Sequence, residues 1–211
     1  TCNNLCNSKN AQALKLNGEN INIEIKNIKL NNKQFTFSFL IELSNFIRHP
    51  KKDIILLEIQ DSNNSMFLFI NIDDRLSFFN KNDQQLFPMG TVNDDTNLRK
   101  LSQNTSWLHV AIIYDGYKLH LEVNGKRESF DYTNLIKSDS IDLIFGGKKQ
   151  SNSSPFYNFN GLMGQIKLSN MFKSKEDLCT QFDNNNKRIC EGIEREKTSC
   201  TFEAEGPSLS L

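Results

Sequence analysis

Acidic side chains in strand-like segments are the residues of this chain whose type best suits catalysis. Glu58 and Asp61 lie three apart in LEIQD, and Glu122 stands alone in HLEVN. Glycoside hydrolysis needs two carboxylates that face one cleft. Residues three apart in an extended strand point to opposite faces of that strand. The spacing therefore predicts no paired-carboxylate active site, and we expect that the protein is not an enzyme.

Cysteines are confined to the two ends of the chain. They are Cys2, Cys6, Cys179, Cys190 and Cys200. No C-x-x-C pair is present and the three histidines have no ligand spacing, so a zinc site is not predicted. The segregated cysteines and the Asn-x-Ser/Thr sequons at Asn63, Asn104 and Asn152 favour a secreted or cell-surface protein with disulfides. The pairing is open, and because five is odd, one thiol is free or has its partner beyond this sequence.

Basic residues form two short clusters in an otherwise balanced chain. The 25 basic and 25 acidic side chains produce no net field that would attract nucleic acid or an anionic membrane. The clusters are RHPKK, with Arg48, Lys51 and Lys52, and GGKKQ, with Lys148 and Lys149. They are candidates for binding a glycan or a protein partner. Solvated loops are the simpler interpretation, because two or three lysines attract only weakly through physiological salt.

Pairs of adjacent aromatic residues are candidates for a second kind of binding site. Neighbouring side chains of a strand point to opposite faces, so one of Phe78 and Phe79 is predicted to be exposed, as is one of Phe156 and Tyr157. Exposed aromatic rings are typical of protein interfaces. Phe156 and Tyr157 are therefore candidate glycan-binding or partner-binding residues.

Alternation of apolar and polar residues with a period of two extends from residue 11 to residue 172, as in INIEIK and FTFSF. This period is typical of half-buried strands. Asp-Gly at 115–116 and Asn-Gly at 124–125 suit tight hairpin turns, so residues 107–130 are predicted to form a three-stranded meander. Trp107 and His109 share one face of its first strand, which we expect to belong to the core; an exposed sugar-recognition site is the alternative. About nine or ten strands with no helical pattern between them indicate an all-β, antiparallel two-sheet sandwich.

Three regions are predicted along the chain. Residues 1–10 form a cysteine-containing N-terminal segment, and residues 11–172 form the sandwich. Residues 173–211 form a short helical appendage tied by disulfides, with Ser174 as a helix N-cap and a loose tail. No stretch is apolar enough to span a bilayer, so membrane attachment is expected only through an anchor beyond this sequence.

An ordered set of motifs resembles the laminin-G domain of the concanavalin-like jelly-roll superfamily. The motifs are FTFSFLIEL, then WLHVAIIYDG, KLHLEVNG, IFGGK and FNGLMGQIKLS. The resemblance covers roughly residues 11–172 and implies a jelly-roll sandwich. It also implies that the opening strand neighbours the strand that ends near Leu168. The superfamily contains glycosidases as well as binding domains, so a glycosidase is the least favoured alternative.

The same resemblance implies a possible calcium site at the rim of the sandwich. The family uses carboxylates there, whereas the matching positions in this chain are Asn64 or Ser65 and Ser138. Asp61 and Asp139 lie close enough to substitute for them, since calcium prefers several hard oxygen ligands. Solvated loop aspartates are the favoured interpretation, and no cofactor is expected.

The asparagine-rich composition and terminal cysteines give the chain a further resemblance, to GPI-anchored merozoite surface proteins of the malaria parasite. This resemblance implies a parasite-surface or cell-surface location and a protein partner such as a reticulocyte-binding-homologue invasion ligand. We therefore expect a non-enzymatic extracellular recognition or adhesion module. A sulfated-glycan-binding, lectin-like domain is the alternative function.

Overall fold

The computed structural model describes residues 13–18, 22–43, 51–62, 64–90, 97–104, 107–147, 156–173 and 203–204. Within these ranges the chain forms fourteen strands and one helix. The elements are β1 (Ala13–Asn17), β2 (Ile23–Lys29), β3 (Phe35–Glu42), β4 (Asp53–Asp61), β5 (Asn64–Ile70), β6 (Leu76–Asn80), β7 (Gln85–Pro88), α1 (Leu98–Asn104), β8 (Trp107–Tyr114), β9 (Lys118–Val123), β10 (Lys126–Asp131), β11 (Ser140–Phe145), β12 (Phe156–Asn158), β13 (Asn160–Ser169) and β14 (Glu203–Ala204). None of the described segments is a helix long and apolar enough to cross a bilayer.

The strands form two sheets that pack face to face. Sheet A has the order β1-β13-β3-β8-β9-β10, with β14 also paired to β13, and sheet B has the order β2-β11-β4-β5-β6-β7, with β12 also paired to β4. All neighbours are antiparallel except the pairs β12/β4 and β13/β14. The predicted all-β, antiparallel two-sheet sandwich of the jelly-roll type is confirmed. The predicted neighbours also pair, since β1 lies against β13 from Ala13↔Gly164 to Asn17↔Asn160.

The core lies between the sheets and is built by alternation along each strand. In β3, Phe35, Phe37 and Phe39 point inward and are fully buried. The rings of Phe35 and Phe37 stack at 4.5 Å, and Phe39 meets Phe145 of sheet B edge-on at 5.6 Å. Full burial of such a side chain contributes about 1.5–3 kcal/mol. The residues that alternate with these inward-pointing side chains form the outer face of each sheet.

The predicted three-stranded meander is confirmed as β8, β9 and β10. Asn124 and Gly125 have φ values of 48° and 77°, which is the left-handed pair that a type I′ hairpin turn requires. At the other turn, Asp115 Oδ1 accepts hydrogen bonds from the backbone N–H groups of Tyr117 at 2.8 Å and Lys118 at 2.6 Å. Local turn chemistry thus determines the register of these strands.

Two features of the fold differ from the sequence prediction. The fourteen described strands exceed the predicted nine or ten, because short strands such as β12 carry too few residues to show a period. Helix α1 was not predicted, although Asn97 Oδ1 accepts a hydrogen bond from Lys100 N at 3.1 Å in the manner of an N-cap. In the predicted helical appendage, residues 174–202 and 205–211 lie outside the described residues, whereas Glu203–Ala204 form a strand.

Candidate functional site

The outer face of sheet B carries a cluster of aromatic and aliphatic side chains. Phe156 stacks on Phe67 at 5.1 Å, meets Phe69 edge-on at 5.4 Å and lies 6.5 Å from Phe79. Phe79 is the direct register partner of Leu86 in edge strand β7, and Leu86 is 56% exposed. We call Phe67, Phe69, Phe79, Leu86 and Phe156 the aromatic surface of sheet B. The cluster lies on the face opposite the core. Phe67 and Phe69 are 9% and 2% exposed, Phe79 and Phe156 are partly exposed, and Leu86 is open to solvent.

The adjacent aromatic pairs separate across the sheet, as predicted. Phe78 is fully buried in the core, whereas Phe79 is partly exposed on the outer face. Phe156 belongs to the aromatic surface, whereas Tyr157 packs against the core. The two residues proposed together as binding residues therefore lie on opposite sides of the sheet, and only Phe156 can contact a partner of the outer face.

Two of the predicted basic residues flank this aromatic surface. Lys51 and Lys52 immediately precede Asp53, whose register partner in β12 is Phe156. Lys51 is exposed and Lys52 is partly exposed. The structure thus brings together basic and aromatic residues that are about a hundred positions apart in the sequence. The other basic candidates, Arg48, Lys148 and Lys149, lie outside the described residues.

Asp61 and Asp139, the candidate calcium ligands, have different environments. The Asp61 carboxylate is 1% exposed and accepts hydrogen bonds from Lys137 N at 2.6 Å, Ser138 N at 3.1 Å and Ser138 Oγ. Asp139 is exposed, and its backbone carbonyl accepts from Leu30 N at 2.9 Å. No group of three or more histidine, cysteine or acidic side chains placed to hold a metal occurs within the described ranges. Asp61 therefore serves to fasten the loop before β11 to the end of β4.

The cysteine and sequon candidates lie mostly outside the described residues. This applies to Cys2, Cys6, Cys179, Cys190, Cys200, Asn63 and Asn152. Asn104 is the last residue of α1. Their predicted disulfides and glycosylation stay predictions.

The outer face of sheet A holds a buried polar cluster that was not predicted. Trp107 and His109 do share a face and are 8% and 1% exposed, but they point away from the core between the sheets. Glu122, which seemed isolated in the sequence, lies 3.8 Å from His109 Nδ1 and accepts a hydrogen bond from Arg127 Nε at 2.9 Å. The sequence did contain one signal of this cluster. Along their strands, its members alternate with core residues; they are Trp107, His109, Glu122 and Arg127.

Burial dominates the electrostatics of this cluster. It lowers the pKa of His109 to about 3, and the positive charges of Lys167 and Arg127 act in the same direction. His109 is therefore neutral at pH 7. The charged pair on this face is the one between Arg127 and Glu122, and the imidazole packs beside it.

A second polar arrangement on the same face combines a serine, a histidine and an aspartate. His120 Nδ1 lies 2.7 Å from Ser129 Oγ, and His120 Nε2 lies 3.3 Å from Asp115 Oδ2. Burial lowers the pKa of His120 although Asp115 opposes this, so the ring is neutral at pH 7. Ser129 lies in the middle of β10, which pairs with β9 along its length. Catalysis by a serine nucleophile also needs hydrogen-bond donors that converge on the oxyanion of the intermediate. The arrangement joins β9 to β10.

Residues 17–179 match the family Laminin_G_3, described as the concanavalin A-like lectin/glucanases superfamily. The chain belongs to this superfamily. No curated protein sequence matches the chain. The matched residues include every strand of the described lectin/glucanase fold from β2 to β13, and Asn17 of β1.

Solved structures with the same fold share little sequence with this lectin/glucanase-superfamily domain. Domain 4 of an extracellular arabinanase from Geobacillus stearothermophilus, in complex with arabinotriose, is 15% identical; the alignment covers 82% of this chain and 77% of that one, with a TM-score of 0.54. The sialidase CBM40 domain of Ruminococcus gnavus, bound to α2,3-sialyllactose, is 11% identical over 76% and 98% of the chains, with a TM-score of 0.51. Domains LG4-5 of the mouse laminin α1 chain are 13% identical over 78% and 43%, with a TM-score of 0.51. These likenesses establish the fold alone.

Among the described residues of the superfamily domain, Glu42 and Glu122 are the buried glutamates of sheet A. Glu42 is the register partner of Trp107, and Glu122 is the register partner of Ala111. Four residues along β8 separate these positions by roughly 13 Å, and the two strands on either side of β8 lie roughly 10 Å apart. Glycosidases hold their two carboxyl groups about 5–9.5 Å apart, and the backbone positions of Glu42 and Glu122 are separated by more than this distance.

Proposed function

We propose that the domain is a non-enzymatic, extracellular recognition module that binds a protein partner through the aromatic surface of sheet B. The observation that carries this proposal is the packing of Phe67, Phe69 and Phe79 around Phe156 on a face turned away from the core. Rings buried at a protein interface contribute most of the binding free energy when they are pre-packed and rigid. This cluster is already ordered by its own contacts.

The setting of the surface also supports binding to a protein. Leu86 extends the apolar area to the edge strand, and Lys51 and Lys52 lie at the opposite border. Interfaces commonly combine an aromatic centre with a polar, charged rim. A partner with apolar side chains at its centre and acidic residues at its border would complement this arrangement.

Absence of catalysis is part of the proposal. The spacing of Glu42 and Glu122 argues against glycoside hydrolysis. The position of Ser129 inside a paired strand argues against acyl transfer. A rigid sandwich that presents a surface needs neither cofactor nor metal.

The biological setting of the proposal comes from the resemblance to merozoite surface proteins of the malaria parasite. In this proposal the domain lies at the parasite or host-cell surface and is held there by a GPI anchor. The partner is then a reticulocyte-binding-homologue invasion ligand. The terminal cysteines would form disulfides in that oxidising compartment.

A pair of matched leucine substitutions tests the protein-binding proposal. Leu86→Asp places a charge on the aromatic surface, and Leu14→Asp makes the same change on β1 of sheet A, where Leu14 is 41% exposed. Binding to the invasion ligand is measured by surface plasmon resonance. We expect Leu86→Asp to abolish binding and Leu14→Asp to preserve it. Equal effects of the two variants would contradict the proposed surface.

Glycan binding is the second candidate function, because Lys51 and Lys52 lie beside an aromatic ring. Sugar-binding sites also combine an aromatic ring with nearby polar or charged groups. The positive charges of the two lysines would attract the sulfate groups of a sulfated sugar. Carbohydrate-bound domains with this fold are consistent with that alternative. A glycan array that includes heparin fragments, read with wild-type protein and Leu86→Asp, separates a sugar ligand from a protein ligand.

A further inference from the structure

Glu58 of β4 adjoins the aromatic surface of sheet B on the outer face. Its direct register partner in β5 is Phe67, whose own partner in β6 is Phe79. Direct partners in an antiparallel pair hold their Cβ atoms roughly 4.5–5.5 Å apart on one face of the sheet. The Glu58 side chain and the Phe67 ring are therefore immediate neighbours.

A β-bulge in β4 places Glu58 on this face. The register with β5 shifts between Ile55 and Leu57. Leu56 and Leu57 both belong to the core, whereas Ile55 packs with the outer cluster. An extra residue in a strand reverses the alternation of side chains beyond it. Glu58 consequently shares the outer face with Ile55, although an uninterrupted strand would send these two side chains to opposite sides.

The buried carboxylate of Glu58 has a neutral hydrogen-bond partner. The residue is 5% exposed, and its Oε1 accepts a hydrogen bond from Gln60 Nε2 at 2.7 Å. Within the described ranges, no lysine, arginine or histidine forms an ion pair with Glu58, whereas the buried Glu122 pairs with Arg127. Burial of a carboxylate without a cation is unfavourable. A cation brought by a binding partner would compensate this charge.

Charges of opposite sign lie at two places along the same surface. Lys51 and Lys52 immediately precede Asp53, the first residue of β4, and Glu58 follows Asp53 by five positions. This separation is roughly 16 Å along the strand, and the stacked rings of the aromatic surface occupy the interval. A complementary partner carries an acidic group and a basic group at a matching distance, which fixes its orientation on the surface.

We infer that Glu58 binds an arginine side chain of the protein partner that covers the aromatic surface. This inference rests on the proposed function, since it names the chemistry of the partner at the same surface. Arginine fits better than lysine, because its guanidinium is less strongly hydrated and forms two parallel hydrogen bonds with a carboxylate. Its apolar stem can pack on the neighbouring rings.

Gln60 marks the position that the guanidinium takes. This residue is partly exposed, and its side-chain amide supplies the N–H donor to Glu58 Oε1 in the free domain. Changes of side-chain rotamer are common when an interface forms, so the amide can turn away as the partner arrives. The guanidinium then donates two hydrogen bonds to the carboxylate and neutralises its charge, which an amide cannot do.

A small-molecule titration tests the arginine site without the partner. The probes are N-acetylarginine amide and its neutral isostere N-acetylcitrulline amide, each added at millimolar concentration to isotope-labelled protein and followed by NMR. We expect the arginine probe to shift the backbone signals of Glu58, Gln60 and Phe67, and the citrulline probe to leave them unchanged. Glu58→Gln should abolish the shifts. Glu24→Gln is the matched control, because Glu24 lies on the same register row and pairs with Lys26, and it should keep them. Absence of arginine-dependent shifts at these residues in wild type would overturn the inference.

Binding to the invasion ligand, measured by surface plasmon resonance, separates this inference from the proposed function. We expect Glu58→Gln to weaken binding by about 30-fold or more, as when one member of a buried interfacial charge pair is removed. The exposed control Glu24→Gln should change affinity by less than about threefold. Loss of binding in Leu86→Asp together with wild-type affinity in Glu58→Gln would overturn the inference and leave the proposed surface standing. Full binding by Leu86→Asp would reject the surface itself and the arginine site with it. Circular dichroism and melting curves establish that each variant is folded.

Discussion

Arg127 Nε donates a hydrogen bond to Glu122 Oε2 at 2.9 Å across the β9–β10 pair, where the two residues are direct register partners. The Glu122 side chain is 0% exposed and the Arg127 side chain 14% exposed. A buried ion pair contributes little compared with an apolar pair of the same size, but removing one partner leaves an uncompensated charge. The integrity of sheet A therefore depends on both members being present.

Arg127→Ala is expected to destabilise the domain by up to about 3–5 kcal/mol, because it removes the guanidinium that donates a hydrogen bond to the buried Glu122 carboxylate. Urea unfolding followed by circular dichroism measures this change. Replacing both residues with apolar ones of similar volume should restore much of the loss. As a control, Lys118→Ala removes an exposed partner of Asp131 and should change stability by less than about 1 kcal/mol. A small effect of Arg127→Ala would show that Glu122 is solvated or otherwise neutralised.

Asp61→Ala is expected to destabilise the domain by about 3 kcal/mol, since two backbone N–H groups and the hydroxyls of Ser62 and Ser138 lose a charged acceptor. The exposed Asp139→Ala serves as the matched control, with an expected change within about 0.5 kcal/mol. Thermal unfolding in the presence of chelator measures both values.

Calcium is expected to leave the melting temperature unchanged, because Asp61 already accepts four hydrogen bonds. A native-state site held at a hundred times its dissociation constant would add about 2.7 kcal/mol. Scanning calorimetry in chelator and in millimolar calcium makes this comparison. A rise in melting temperature that Asp61→Ala abolishes would establish a calcium site.

Stability is expected to fall as the pH drops below the ordinary histidine pKa. The pKa of His109 is lowered to about 3 in the folded protein by burial, whereas it is about 6.5 in the unfolded chain. The unfolded state therefore binds the extra proton, and the free energy of unfolding decreases by up to about 1.4 kcal/mol per pH unit in this window. His109→Gln should flatten the slope, and His120→Gln should flatten it less. If the free energy of unfolding has the same slope against pH in wild type and His109→Gln, the His109 imidazole is solvated and the explanation is wrong.

Charge reversal at Lys51, Lys52, Lys148 and Lys149 distinguishes the two candidate ligands. With all four changed to glutamate, a protein partner should still bind, with a slower association rate, because flanking charges mainly steer encounter. Binding of a sulfated glycan should instead be lost, and wild-type affinity should fall steeply with salt. Kinetic binding assays at low and physiological ionic strength measure both effects. Loss of protein binding with an intact fold would show that the lysines form direct contacts.

Local patterns in the sequence were sufficient to predict the architecture. Alternation with period two, as in FTFSF, and the Asn124-Gly125 turn act over a few residues, so their consequences follow without knowledge of distant partners. The same alternation was sufficient to predict that Phe78 and Phe79 divide between core and outer face. The helix α1 was missed because its seven residues are too few to show a period and only the Asn97 cap marks its start.

Only the tertiary structure decided what the outer faces contain. Asp61 reaches Ser138 across 77 positions of sequence, and Phe156 joins Phe67 and Phe69 through the pairing of β12 with β4. Glu122 looked isolated because its partners belong to neighbouring strands. Sequence periodicity states which side chains share a face of one strand, whereas sheet order and register determine which faces meet. Contacts between distant strands decide the positions of the buried charges and of the aromatic surface.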